Sequence, residues 1–257
     1  MTDNRNEPSQ NRAALVTGAG RRVGRAIAEG LARDGYAVAV HYNGSSQGAE
    51  ETVATIKQAG GKAFTLQHDL TDPTSAGTLV ERTRAEFGEV SVLVNSASLF
   101  DLDDLATLTG ESWRRLIDVN LTAPVFLMQA FARQSPTPTG AAIVNILDTQ
   151  MTSAAPERFS YFCGKFGLDG ATRLAAFELG DKGITVNAVA PGLVLPSHQT
   201  VEEFEHRQKL TPLGRGLGTD DIVNGVRYLV GARQVTGHTL VVDAGQRLMG
   251  FGNSPTG

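Results

Sequence analysis

Tyr161 and Lys165 stand four residues apart. In a helix that spacing puts a phenol and an ammonium on one face, one turn from each other. A cation there favours the phenolate and is expected to lower a phenol pKa that starts near ~10. A tyrosine tuned in this way can exchange a proton with a bound molecule, a contribution on the order of 10² to 10⁴ in rate. Upstream, Asp148 ends the run Asn145-Ile146-Leu147 and supplies a second group able to hold a proton. Tyrosine and lysine at this spacing also occur on ordinary solvated helix faces. The weight therefore falls on the elements that carry them.

Ala13 to Thr17 is a short apolar run that ends in Gly18-Ala19-Gly20, and Val23, Ile27, Ala28 and Leu31 then recur at helical spacing. The alternation repeats along the chain. Tyr36 to Tyr42, Lys62 to His68, Val90 to Val94, Ala141 to Leu147 and Ile184 to Val189 read as strands. Between them Gln47 to Ala59, Thr74 to Phe87, Ser112 to Arg133 and Phe159 to Leu179 read as helices. Nearly continuous apolar strands alternating with helices predict an α/β fold: a Rossmann-type doubly wound parallel sheet of about seven strands with helices on both faces. Ligands of such a sheet bind beyond the carboxyl ends of the strands, where the strand order reverses. Residues 1–12 read as a loose polar tail and 13–257 as one catalytic domain, with 135–140 a loop and 193–213 a charged segment forming a short helix over the site.

Composition narrows the class. The chain has 257 residues, 41% of them apolar, enough for a sizeable core, and a net charge of -4 without a long run of one sign. Neither a nucleic-acid footprint nor a polybasic membrane patch is present, so the expected partner is a small molecule. No apolar run approaches the roughly 18 residues of a membrane helix, and a soluble, cytoplasmic protein is expected. The single cysteine, Cys163, excludes an internal disulfide and reads as helix packing. His41, His68, His198, His206 and His238 lack metal-ligand spacing, and no metal site is expected.

The turn Gly18-Ala19-Gly20-Arg21-Arg22-Val23-Gly24 follows a strand and opens a helix, the setting of a dinucleotide-binding turn, although three residues rather than two separate its last glycines. An NAD site usually places a carboxylate at the end of the second strand. Here that end reads His41-Tyr42-Asn43-Gly44-Ser45. Arg21 could reach the extra phosphate of NADP, and Ser45 and His41 could donate hydrogen bonds to it, so the expected cofactor is NADPH. Gly18, Arg21, Arg22 and Val23 from the turn, with His41, Tyr42, Asn43 and Ser45 from the strand end, are the residues expected around it.

Further motifs follow in order: Asp69-Leu70, Asn95-Ser96-Ala97, Asn120, Pro191-Gly192 and Val242-Asp243-Ala244-Gly245. With the glycine turn and the Tyr161/Lys165 pair, the chain resembles the short-chain dehydrogenase/reductase family from Ala13 to about Leu248. The resemblance implies that Asp69 and Leu70 lie against adenine and that Asn95, Ser96 and Ala97 lie against the middle of the cofactor. Pro191 and Gly192 would flank the nicotinamide, and Lys165 would bind its ribose beside Tyr161. Asn120 would hold a water or a backbone group in a proton relay. A homotetramer packed through the helices at Ser112 to Arg133 and Phe159 to Leu179 is implied as well. Two departures narrow the match: Arg22 replaces the middle glycine of the family's turn, and Asp148 replaces the serine usually found thirteen positions before the tyrosine. Both features look like the pteridine reductases, as do His41-Tyr42 and Asn95-Ser96-Ala97-Ser98-Leu99-Phe100. By that resemblance Phe100 stacks on a flat bicyclic ring, and Arg22 and Ser98 hydrogen-bond ligand or cofactor. Gly44 stands where those reductases carry an arginine.

The aspartate has a chemical consequence. A ketone reductase needs a hydrogen-bond donor at the oxygen where charge develops, and an ionised carboxylate cannot donate. A carbon-nitrogen bond instead requires a proton on nitrogen, which a carboxyl group can relay or give. A carboxylate beside Tyr161 would also keep the phenol protonated. The expected function is NADPH-dependent reduction of a pterin-like ring, with Asp148, Tyr161, Lys165 and Asn120 as the catalytic set and Arg22, Ser98, Phe100, Asp148 and Tyr161 around the substrate. The alternatives are a reductase of a ketone such as a 3-oxoacyl thioester and a non-catalytic NADPH-binding regulator.

Overall fold

The computed structural model describes residues 12–134, 136–138, 140–153, 157–196 and 200–249. The expected N-terminal tail other than Arg12 lies outside the described residues, as do 197–199 of the expected lid. Seven strands form one parallel sheet: β1 Ala13–Val16, β2 Ala37–Tyr42, β3 Ala63–Gln67, β4 Val90–Asn95, β5 Ala142–Ile146, β6 Thr185–Pro191 and β7 Thr239–Val242. Their order is β3-β2-β1-β4-β5-β6-β7. β1 sits between β2 and β4, with Val16 paired to Val40 on one side and to Val94 on the other. The winding reverses there, so successive connections leave on opposite faces and a crevice opens above the carboxyl ends.

Helices cover both faces: α1 Arg22–Arg33, α2 Ser46–Gln58, α3 Thr78–Phe87, α4 Gly110–Ile117, α5 Ala123–Ala132, α6 Phe159–Glu178, α7 Val201–Lys209 and α8 Thr219–Gly231. Alternate strand residues serve opposite faces. Ala14, Val16, Val38, Val40, Val92 and Val94 pack with Ile27, Leu31, Ile222 and Val226 of α1 and α8. Leu15, Ala39 and Leu93 point the other way, onto Leu79, Leu127 and Phe131 of α3 and α5.

The structure differs from the sequence reading in three places, the first being that the helix expected from Thr74 to Phe87 is a 3₁₀ turn, Pro73–Ser75, followed by α3. The helix expected from Ser112 to Arg133 starts at Gly110 and is interrupted by a π-helical turn, Asp118–Thr122. Pro124 has no N–H to give to the Asn120 carbonyl four residues before it, so the α-helical ladder cannot run through this point. The C-terminal elements α8 and β7 complete the sheet beyond the last strand read from the sequence.

Candidate active site

The glycine turn is built by contacts that leave no room for side chains. Gly18 has φ 65°, and a Cβ there would lie 2.8 Å from the Ala97 Cα. A Cβ on Gly24 would enter the Gly18 carbonyl oxygen, and one on Gly20 would meet the Ser45 hydroxyl at 2.6 Å. Arg22 adopts φ 54°, a left-handed conformation costing about 1 kcal/mol for a non-glycine residue. Its guanidinium Nη1 donates to the Pro196 carbonyl at 2.9 Å, tying the turn to the segment after β6.

His41 does not stand free to meet a phosphate. Its ring is buried, its Nδ1 accepts from the Gly18 N–H at 3.1 Å, and its Nε2 lies 3.1 Å from the His68 carbonyl. Burial pushes the imidazole pKa down to about 4. A neutral ring with both nitrogens engaged holds the turn against the end of β3. His41 lines the cleft together with Arg21, Val23, Tyr42, Asn43, Ser45, Asp69 and Leu70.

The end of β4 is fastened by Thr17, whose Oγ1 accepts from the Ser96 and Ala97 N–H groups, each at 3.0 Å. Ser96 and Ala97 line the cleft. Asn95, expected beside the cofactor, instead points into the core: its Nδ2 donates to Asn145 Oδ1 at 2.8 Å, and Asn145 Nδ2 donates to Thr172 Oγ1 on α6 at 2.8 Å. Alternation along the strand puts its side chain on the same face as Leu93, where Asn145 links it to α6. Asn120 is fully buried in the π turn, where its Nδ2 donates to the Leu99 and Leu116 carbonyls and its Oδ1 accepts from the Ser98 hydroxyl at 2.7 Å. Its side chain therefore shapes the loop before Phe100, and the proton of the Ser98 hydroxyl is directed at Asn120 rather than into the cleft.

At the end of β5 and the first turns of α6 lie the proton-carrying groups. The Tyr161 hydroxyl donates to Asp148 Oδ2 at 2.7 Å, and Asp148 Oδ1 accepts from the Gln150 N–H at 2.8 Å. Asp148 thus both caps its own loop and binds the phenol. Burial raises the Asp148 carboxyl above its ordinary value. Tyr161 is 4% exposed, and burial, reinforced by the Asp148 charge, raises its pKa well above the usual phenol value. The lowering expected from Lys165 is thus overturned. The Lys165 ammonium lies 5.6 Å from the centroid of the Tyr161 ring and donates to the Ile146 carbonyl at 2.8 Å. Its own pKa falls to about 8 through burial, against the pull of Asp148. The site therefore holds a protonated phenol hydrogen-bonded to a carboxylate, a pair that can pass a proton.

Phe100 packs edge-on against Tyr161, with ring centroids 4.7 Å apart, and the Arg158 guanidinium lies 3.7 Å above the Phe100 centroid. Sequence reasoning passed over Arg158, although its place three residues before Tyr161 at the start of α6 was readable. It also passed over Asp103, which accepts from the Ser160 N–H at 3.0 Å and ties the loop after Phe100 to the start of α6. Asp243 at the end of β7 accepts from Thr149 Oγ1 at 3.1 Å and from two backbone N–H groups, holding the loops after β5 and β7 together beside Pro191 and Gly192. Glu203, His206 and Arg207 of α7 close the outer wall. The cleft encloses about 1720 Å³, beyond the roughly 300–1,000 Å³ of a site for one small ligand. It has room for a dinucleotide and a second molecule. Among the described residues no group of three or more His, Cys, Asp or Glu could hold a metal ion, and no helix is long and apolar enough to cross a membrane.

Residues 18–247 match the family model described as enoyl-(acyl carrier protein) reductase. The chain belongs to the short-chain dehydrogenase/reductase family. Within it, the chain is 35% identical over 239 residues to the 3-oxoacyl-(acyl-carrier-protein) reductase FabG of Staphylococcus aureus, covering 91% of this chain and 97% of that one. It is 33% identical over 235 residues to the 3-oxoacyl-(acyl-carrier-protein) reductase of Synechocystis, covering 90% and 95%. A solved structure of FolM alternative dihydrofolate reductase 1 from Brucella canis, complexed with NADP, superposes with a TM-score of 0.88 at 37% identity, covering 93% of this chain and 95% of that one. These family members divide between two chemistries, acyl ketone and dihydrofolate reduction.

Proposed function

We propose that the chain is an NADPH-dependent reductase of a pterin-like ring, a dihydropterin or a dihydrofolate. The observation that carries this reading is the hydrogen bond of 2.7 Å from the Tyr161 hydroxyl to Asp148. With its proton directed at a carboxylate, the phenol is poorly arranged to donate to a ketone oxygen, and the carboxylate would repel the charge developing there. A ring nitrogen that must be protonated suits the pair. Asp148 and Tyr161, both raised by burial, hold a proton next to the cleft, and the part of Asp148 still open to it permits reloading from water. Lys165 supplies positive charge beneath them.

The crowded, side-chain-free glycine turn fits a dinucleotide, since only backbone can approach a pyrophosphate this closely. Gly18, Arg21, Arg22, Val23, Tyr42, Asn43 and Ser45 would hold its phosphates and adenosine ribose, with Asp69 and Leu70 at the adenine. Ser96, Ala97, Tyr161, Lys165, Pro191 and Gly192 would hold its nicotinamide half. When bound, NADPH supplies the hydride. Phe100, Arg22, Ser98, Asp148 and Tyr161 would meet the substrate. The 37% identity to a dihydrofolate reductase solved with NADP supports both cofactor and substrate class. A second reading, reduction of a 3-oxoacyl thioester, is favoured by the FabG relatives at 35% identity. The reading includes a cytoplasmic homotetramer. Phe166, Leu174 and Phe177 leave an apolar strip exposed on α6, Phe177 at 93%, that a second copy would cover.

The test follows NADPH consumption with dihydrobiopterin, dihydrofolate and acetoacetyl thioester in parallel. Turnover of either pterin and none of the thioester is expected, and Asp148→Ser should lower pterin turnover by about a hundredfold. Turnover of the thioester alone establishes the second reading. Tight NADPH binding without turnover identifies a regulator.

A further inference from the structure

Arg158 precedes α6, and its backbone is pinned from both sides. It forms a bridge with Asp103, the Phe159 N–H donates to the Asp103 carbonyl at 3.0 Å, and the Asp103 carboxylate accepts from the Ser160 N–H. The side chain is held far more loosely. Its guanidinium carbon lies 3.7 Å from the Phe100 ring centroid and the group reaches the Phe100 carbonyl at 3.4 Å, the long limit of a hydrogen bond. Among the described residues no carboxylate lies within ion-pair distance of it, whereas Arg115, in the same wall, is paired with Asp101. Burial without such a partner pulls the guanidinium pKa down from its ordinary value. Lys165 donates to the Ile146 carbonyl, and one of the five N–H groups of Arg22 to the Pro196 carbonyl. The cleft as a whole is lined by six basic side chains against four acidic ones, in a chain whose net charge is -4. The phosphates of the dinucleotide take up that excess, so a carboxylate on the substrate needs a cation of its own.

We propose that Arg158 determines substrate specificity: its guanidinium occupies the aromatic face that a planar ring takes, and once displaced it pairs with a carboxylate on the tail of that ring. The inference rests on the pterin reading and sharpens it, selecting pterins with an anionic tail, such as dihydrofolate, over those with a neutral one, such as dihydrobiopterin. A flat heteroaromatic ring replaces the cation on Phe100 at little cost, because stacking offers a contact comparable to the cation–π contact it removes. The released guanidinium, its Cα fixed by the Asp103 bridge, keeps the reach of its four side-chain bonds and presents a planar fork to a carboxylate. Arg207 on α7, which also lines the cleft, adds charge of the same sign.

The test measures equilibrium binding, in the presence of NADPH, of methotrexate, which carries a glutamate tail, and of 2,4-diamino-6-methylpteridine, which has none, to the wild type, Arg158→Ala and Arg158→Lys. Arg158→Ala should weaken methotrexate by on the order of tenfold or more, the loss of a charge-assisted contact, and leave the tail-less ligand unchanged or bound more tightly. Arg158→Lys, which keeps the charge without the fork, should lose only part of the preference, and raising the salt should erode it in the wild type. Equal weakening of both ligands, or no change in either, overturns the proposal. Thermal midpoints of both variants separate misfolding from a binding effect. Should the wild type reduce no pterin while Arg158→Ala still weakens only the carboxylated ligand, the reductase reading fails and the role of Arg158 stands. Should pterin turnover accompany equal weakening of both ligands, the reductase reading stands and the role of Arg158 fails.

Discussion

Replacing Lys165 by methionine should make the protein inactive and more stable at once. The ammonium is 3% exposed, and burial pulls its pKa from the ordinary 10.5 to about 8 even with Asp148 pulling the other way. At ~1.4 kcal/mol per tenfold change in proton affinity, keeping this group charged at neutral pH costs the fold about 3 kcal/mol. Methionine fills a similar volume without charge but abandons the Ile146 carbonyl, which offsets ~1–2 kcal/mol of the gain. The net stabilisation is about 1–2 kcal/mol, or a Tm increase of about 4 °C for a chain of this size. Its pH dependence is diagnostic. Between about 8 and 10.5 the unfolded wild type holds a proton that the folded wild type has released, so wild-type stability rises with pH across that window. The advantage of Lys165→Met should therefore be full below pH 8 and shrink as pH climbs towards 10.5. Thermal melts of both proteins at pH 7, 9 and 10.5 measure it. A variant less stable than the wild type at pH 7, or a gain that does not change with pH, would refute the reasoning.

Other residues give independent tests. Gly24→Ala pushes a methyl group into the Gly18 carbonyl, and NADPH titration by fluorescence should show binding at least about tenfold weaker. His41, lowered to about 4 in the fold, is neutral while the unfolded imidazole, at 6.5, takes up a proton, so stability should fall by about 3 kcal/mol as pH drops from 6.5 to 4. Urea midpoints across that range should fall less steeply for His41→Gln. Asp103→Ala removes the carboxylate at the start of α6 and should lower stability by about 1–2 kcal/mol in urea unfolding. Phe177→Asp should dissociate the proposed homotetramer in sedimentation velocity while leaving NADPH affinity intact, because Phe177 lies far along α6 from Tyr161.

The strand and helix alternation up to β6 was legible because each element carries its own period: apolar runs for buried strands, three- and four-residue spacing for helices. The same local signals were present later, in Ile222, Val223, Val226, Leu229 and Val230, which form the buried face of α8. The π turn at Asn120 was harder to read, since Pro124 breaks an α-helical ladder without saying what replaces it. Tyr161 and Lys165 were only suggested by their four-residue spacing, which ordinary helix faces share, and it was the resemblance to the short-chain dehydrogenase/reductase pattern that singled them out together with Asp148.

The sequence offered two opposed effects on Tyr161, a lowering by Lys165 and a raising by Asp148, and spacing could not say which wins. Lys165 one turn from Tyr161 suggested a lowered phenol, yet burial and the Asp148 carboxylate outweigh it and raise that pKa. Desolvation depends on everything packed around a group, not on its neighbours in the chain. For the same reason the sequence did not show that the His41 and Asn95 side chains are buried and hydrogen-bonded within the fold. Arg158, unremarkable as a residue before a helix, becomes the cover on Phe100 only once a bridge to Asp103 brings the two loops together. The sequence by itself determined the alternation of strands and helices and the glycine turn, because these follow from local periodicity. Tertiary structure alone decided which side chains face the cleft and in which protonation state, because both depend on burial by residues distant in the chain.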